Sequence, residues 1–265
     1  MKENELILGP RIPDDLWRKE KKRFLIPSLV LHTGDQINHA DNDVQWGEWF
    51  DASPEHTASV DQLAVAGNHE FLNGGLYNAW NEHFTFPKNS PVADQSADAC
   101  TVAYQEKIAA SLSNAVYSVD YQGVRFVTLS GTIGTLDLIP AADVLAAAGC
   151  DGTIDPIGVW TGMQADWLDA QLASNPGQWS VVSIHQPLFS TSVGRDNEHL
   201  RQAYLDVIER HDVDLVLQGH DHTYGRGHMA ANEVEGGLQT GPTYVVSVLG
   251  PKAYDLDVAE PNDWT

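Results

Sequence analysis

The chain has 265 residues and 42% hydrophobic content, which suits a globular domain with a sizeable core rather than a disordered chain. Its 15 basic and 37 acidic side chains leave a formal net charge of -22, which argues against nucleic acid or an anionic membrane surface as the main partner. An anionic substrate would need local positive charge such as bound metal ions, because distant charges are screened beyond about 8 Å at physiological salt.

Residues 1–23 differ in composition from the rest. Lys2, Arg11, Arg18, Lys19, Lys21, Lys22 and Arg23 supply 7 of the 15 basic residues. The apolar run Leu6-Ile7-Leu8 is too short for a signal peptide, and no stretch approaches the roughly 18 apolar residues of a membrane span. The chain therefore reads as soluble, with residues 24–265 as its main domain.

From Pro27 to Thr33 a short apolar run ends in Gly34-Asp35, a buried strand running into a loop. Val44 to Ala58 places Trp46, Trp49 and Phe50 at helical spacing. Leu63 to Ala66 is a second strand, ending in Gly67-Asn68, and Tyr77 to Phe84 reads as a helix stopped before Pro87. Residues 85–113 are polar and weakly periodic, a long loop or cap. Ala115 to Asp120 and Val124 to Ser130 flank Gln122-Gly123 as a hairpin. Residues 131–158, punctuated by Gly and Pro, are a second cap-like loop. A helix opens at Thr161 and runs to about Ser174, and Ser180 to Ile184 is a strand ending at His185. Asp196 can cap a helix whose Leu200, Tyr204, Val207 and Ile208 form an apolar stripe. Val213 to Leu217 is a strand ending at Gly219-His220, and Thr243 to Val248 is the last clear strand. The helix residues His199 and His211 read as solvent-facing, and the tryptophans as packing residues.

Cys100 and Cys150 lie in Ala/Asp/Gly-rich sequence without metal-type spacing. In an oxidising compartment they could pair and tie two surface loops together; otherwise they are two free thiols. The acidity and the cysteine pair fit a secreted parent protein, although the chain shows no export signal.

Four apolar strands thus end in polar clusters: Gly34-Asp35, Gly67-Asn68-His69-Glu70, His185 and Gly219-His220-Asp221-His222. Each is weak evidence alone, but ligands gather at the carboxyl ends of strands in α/β sheets, so the four loops should converge. Phosphoester hydrolysis needs such a set. Two metals about 3.5–4 Å apart neutralise the phosphoryl oxygens, lower the pKa of a bound water and stabilise the leaving oxygen. Asp35 suits a bridging carboxylate, Asn68 offers a neutral carbonyl, and His185, His220 and His222 supply nitrogens.

The blocks GDQIN, GNHE, SIHQP and GHDHTYGR resemble those of the calcineurin-like metallophosphoesterases. GHDHTYGR, YSVDYQGVRFVTL and VVSVLGPKAYDLD resemble the purple acid phosphatases and their bacterial relatives. The resemblance implies an α/β fold: a four-layer αββα sandwich of two mixed sheets, with the site at a sheet edge. It implies two divalent or trivalent metal ions (Fe, Zn or Mn), with Asp35 bridging, Asn68, His185 and His220 on one metal and His222 on the other. His69 would contact the phosphate and protonate the leaving alkoxide. With Asn68 it would bind a small phosphomonoester or phosphodiester, which a metal-bound hydroxide attacks in line. Apart from the resemblance, Arg226, four residues past His222, reads either as a bidentate phosphate contact or as a surface ion pair.

Two departures stand out. Asn38 occupies the place of the tyrosine ligand in the GDxxY block of purple acid phosphatases, so no tyrosinate colour is expected, and His39 is the neighbouring substitute. The family's opening Asp-x-His motif is missing: Leu6-Ile7-Leu8 runs into Gly9-Pro10, with Asp14 and Asp15 as alternative ligands. Both ends look truncated, lacking the usual first strand motif and the last strands. The alternative reading is a catalytically impaired fragment that binds one metal or an anion.

Overall fold

The structure is a computed structural model that describes residues 27–134, 136–151, 154–234, 238–248 and 251–257. The opening segment, with Leu6-Ile7-Leu8, Asp14 and Asp15, lies outside the described residues.

Strand β1 (Leu29–His32) pairs in parallel with β2 (Asp61–Ala64), Leu29 opposite Asp61 and His32 opposite Ala64. Two short hairpin strands, β3 (Phe71–Leu72) and β4 (Gly75–Leu76), follow the second loop. The main sheet then forms from β5 (Tyr117–Tyr121), β6 (Val124–Leu129), β7 (Trp179–Ile184), β8 (Leu215–Gln218) and β9 (Gly225–Gly227). A small hairpin, β10 (Glu233–Val234) with β11 (Leu238–Gln239), precedes β12 (Thr243–Val246). The main sheet has the order β5-β6-β7-β8-β12-β9. Its inner strands run parallel, and β5 and β9 close the two edges antiparallel, which makes the sheet mixed.

Helices Ala99–Leu112, Pro156–Ala173 and Glu198–Arg210 cover one face of this sheet. Ile108, Leu112, Trp160, Leu168, Leu200 and Tyr204 pack there against Val182, Ile184, Val216 and Tyr244 in one apolar core. Helices Asp43–Asp51 and Asn78–His83 flank a second core, in which Trp46, Trp80, Phe84 and Phe86 meet Ala64 of β2 and Tyr117 of β5. The Tyr117 hydroxyl donates to the Ala64 carbonyl at 2.9 Å, joining the two sheets. The layers are thus helix, six-stranded sheet, small sheet and helix, as expected. Among the described residues the second sheet is a parallel pair rather than a mixed one.

The two segments expected as loops are partly helical. Half of the segment 85–113 is the Ala99–Leu112 helix, capped by the Asp98 carboxylate on the amides of Cys100 and Thr101. Tyr104, Ile108 and Leu112 recur every fourth residue and are buried, an apolar stripe inside an Ala-rich run. Segment 131–158 contains the short helix Ala142–Ala148 and the start of Pro156–Ala173, which opens earlier than Thr161 because Asp155 caps it and Pro156 suits its first turn. Cys100 and Cys150 form a disulfide joining the ends of the Ala99–Leu112 and Ala142–Ala148 helices. The Glu198–Arg210 helix buries Leu200, Tyr204, Val207 and Ile208 as expected, but Asn197 takes the cap position and Asp196 pairs with Arg201 instead. His199 is exposed, whereas His211 is partly buried against Asp169 at 2.6 Å. No helix of the described residues is long and apolar enough to cross a membrane.

Candidate metal centre

Loops after the parallel strands β1, β2, β7 and β8 meet at one end of the fold. They carry Asp35, Asn68 and His69, His185, and His220 respectively. Donor atoms of Asp35, His185 and His220 all lie within 4.8 Å of one another. Asp35 Oδ2 is 3.1 Å from His185 Nε2, which is also 3.2 Å from Asn68 Oδ1 and 3.2 Å from His220 Nδ1.

Close approach of backbone makes this possible. A Cβ on Gly34 would collide with His185 Nδ1, and one on Gly67 would meet the Asp35 carboxylate. Asp35 and His220 themselves adopt left-handed backbone, with φ of 56° and 65°. Side chains tolerate that conformation only where the surroundings hold it, and such strain concentrates at functional sites.

Hydrogen bonds decide which nitrogens face inward. The Thr33 carbonyl, which can only accept, takes the Nδ1–H of His185 at 2.7 Å, so Nε2 points at Asp35 and Asn68. The Asn38 carbonyl likewise takes His69 Nδ1–H at 2.8 Å, leaving His69 Nε2 3.9 Å from Asp35 Oδ2. His69 Nε2 is thus a second, more exposed group beside the cluster.

Charge follows from the same contacts. Burial works against ionising Asp35, but the His185 hydrogen bond and charge, with the His69 amide, hold its carboxyl below the usual range. Burial likewise disfavours a charged His185, and Asp35 overrides it, so the His185 pKa is raised. His220 is pushed down to about 3 by burial and then by the neighbouring His185, so its lone pair stays free. With His185 in its neutral form, as a metal ligand must be, Asp35 Oδ2, Asn68 Oδ1, His185 Nε2 and His220 Nδ1 crowd acceptor lone pairs together, a donor set that fits a divalent cation.

His222 stands outside this group. Its Nδ1 is buried without a hydrogen-bond partner, and its ring lies edge-on to Tyr254 at 4.8 Å. Its pKa is lowered by burial and then by the charge of Lys252. His39 is exposed and hydrogen-bonded to the Asn38 side chain, not part of the cluster. Arg226 sits exposed on edge strand β9 opposite Val245 and makes no ion pair with the cluster.

Two acidic residues carry roles that the sequence did not signal. Glu70 is fully buried and accepts from the amides of Asp35, Gln36, Ile37 and Gly67 at 3.0, 2.8, 3.4 and 2.6 Å. It thereby sews the first ligand loop to the second. Burial and then the Asp35 charge raise its pKa to about 7, against the pull of those amides. Exchanging it for glutamine removes an acceptor and turns an NH2 toward amide donors. Glu70→Gln should lose about 1–3 kcal/mol of unfolding free energy in denaturant titrations, and an unchanged midpoint would contradict the role. Asp221, also fully buried, lies between two histidines yet accepts from Ser190 Oγ at 2.5 Å and Arg195 Nε at 2.7 Å instead of joining the donor group. Nothing in HDH spacing distinguishes these fates.

Fold and donor set together define a protein of the metallophosphoesterase type. The calcineurin-like phosphoesterase family profile matches residues 11–224, and the chain belongs to that family. An uncharacterized protein of Mycobacterium tuberculosis is 28% identical over 216 residues, covering 77% of this chain and 35% of that protein. Purple acid phosphatase 15 of Arabidopsis thaliana is 25% identical over 217 residues, covering 78% of this chain and 32% of its own length. The fold is also that of the purple acid phosphatase from yellow lupin (Lupinus luteus) seeds, with a TM-score of 0.56 and 21% identity over 89% of this chain and 39% of that one. The chain spans about a third of the length of these curated relatives.

Proposed function

We propose that this chain is a metal-dependent phosphoester hydrolase acting on small phosphomonoesters or phosphodiesters. The convergence of Asp35, His185 and His220 donor atoms within 4.8 Å carries the reading. Metal ions, when bound, supply positive charge for the phosphoryl oxygens and an activated water. Asp35, Asn68, His185 and His220 would hold one ion, and Asp35 with His222 a second; Fe, Zn and Mn all suit these ligands. Asn68 and His69 would orient the phosphoryl group, with Arg226 as an outlying contact. Water attacks phosphorus opposite the leaving oxygen, the P–O bond breaks, a water proton stays on the phosphate product, and His69, protonated on both ring nitrogens, would give its Nε2 proton to the departing alkoxide. With Nδ1–H held by the Asn38 carbonyl, the transferable proton of a doubly protonated His69 is the one on Nε2.

The proposed domain covers 24–265, with 85–113 and 131–158 as cap-like segments. Their Cys100–Cys150 disulfide fits an oxidising compartment and so a secreted parent.

A second reading, a catalytically impaired domain binding one metal or an anion, rests on the sequence, where the Asp-x-His motif that would complete the site of His222 is missing. Elemental analysis of chain purified without chelators separates the two. About two metals per chain, with hydrolysis of para-nitrophenyl phosphate, supports the hydrolase. One metal without turnover supports the impaired domain.

A further inference from the structure

The wall beside His222 is built from three loops laced together. The Tyr254 amide donates to the His222 carbonyl at 3.0 Å, and the Asp257 amide to the Thr191 carbonyl at 2.8 Å. Ser192 and Leu256 form an antiparallel bridge, and the hydroxyls of Thr191 and Thr223 meet at 2.6 Å. Residues 251–257 are therefore tied to the loop that carries His222.

Tyr254 is the platform of this wall. Its ring lies edge-on to His222 at 4.8 Å, and two cations lie over it: the Arg195 guanidinium at 4.8 Å and the Lys252 ammonium at 4.9 Å from the centroid. The two differ in what answers their charge. Arg195 is bonded to the buried Asp221 carboxylate at 2.7 Å. Lys252 has no carboxylate partner among the described residues.

Among the described residues Lys88 and Arg226 likewise lack a carboxylate partner, but Lys252 is the one held against the ring beside His222. Elsewhere Lys107 pairs with Asp137, Arg125 with Asp120, Arg201 with Asp196 and Arg210 with Asp169. A cation left unanswered on the wall beside His222 is available to an anionic ligand. Its extra charge matters most for a phosphoryl group carrying two negative charges, since the Coulomb term scales with ligand charge.

We propose that Lys252, held over Tyr254, is a substrate-binding residue that selects dianionic phosphomonoesters over monoanionic diesters. The assignment rests on the hydrolase reading for its substrate, but its test does not require turnover. Inorganic phosphate and dimethyl phosphate stand in for the dianion and the monoanion. Calorimetric binding of each is measured at about pH 8, above the second pKa of a phosphate group. The chain is taken with added manganese and again without added metal.

Lys252→Gln should weaken phosphate binding about tenfold, the scale of one charge-assisted hydrogen bond, and leave dimethyl phosphate nearly unchanged. Lys252→Arg should restore most of the loss. Lys252 is exposed, so the melting curves of all three proteins should coincide and report an intact fold. Equal phosphate affinity in wild type and Lys252→Gln overturns the proposal, as does an equal loss for both ligands. Lysine-dependent phosphate binding by a chain without hydrolytic activity would uphold it while overturning the hydrolase reading.

Discussion

Asp35→Ala is expected to remove bound metal and hydrolysis together, with turnover falling at least roughly a thousandfold. The reason is positional as well as chemical. Asp35 Oδ2 lies 3.1 Å from His185 Nε2, and its other oxygen accepts the His69 amide at 3.1 Å. It is the only carboxylate in the donor group among the described residues. Without it two neutral imidazoles and an amide oxygen would face the cation, and none supplies negative charge. The fold should survive, because Asp35 lies at a loop and the apolar cores are elsewhere. Elemental analysis and steady-state kinetics on the same preparation test the role, and a variant that keeps both metal and turnover removes Asp35 as the central ligand.

His69→Ala is expected to separate the two readouts, lowering turnover about a hundredfold while metal content stays constant. His69 is not in the donor group; its Nδ1–H is occupied by the Asn38 carbonyl and its Nε2 stands 3.9 Å from Asp35 Oδ2. A proton donor matters most when the departing oxygen is basic. The loss should therefore be smaller for para-nitrophenyl phosphate, whose leaving group is acidic, than for an alkyl phosphate. Metal loss in the variant, or equal effects on both substrates, would sink the role of proton donor.

Much of the architecture is legible in the sequence because its signals are local. The stripe Leu200, Tyr204, Val207 and Ile208 lies within one helix and is buried as its spacing requires. The hairpin around Gln122-Gly123 pairs Tyr121 with Val124, as a two-residue turn demands. The Ala99–Leu112 helix is harder to read because Tyr104, Ile108 and Leu112 are diluted by alanines and preceded by polar loop sequence. Its apolar stripe acquires meaning only through packing against the main sheet. Arg226 stands out in the sequence through its nearness to His222. The arginine bonded within that loop is instead Arg195, 26 residues from the Asp221 it pairs with.

The sequence by itself determined the candidate ligands and their order, because each follows a strand whose apolar run and terminal polar cluster are read within a few residues. Tertiary structure decided how those ligands face one another. His185 takes its orientation from a carbonyl 152 residues away, and His69 from one 31 residues away. Every residue has a carbonyl, so such partners leave no side-chain signature in the sequence. The fates of the two buried acids were settled the same way, Glu70 by four backbone amides and Asp221 by Ser190 and Arg195. A carboxylate becomes a ligand or a brace according to which donors the fold brings within about 3 Å of it, and that distance is set by packing.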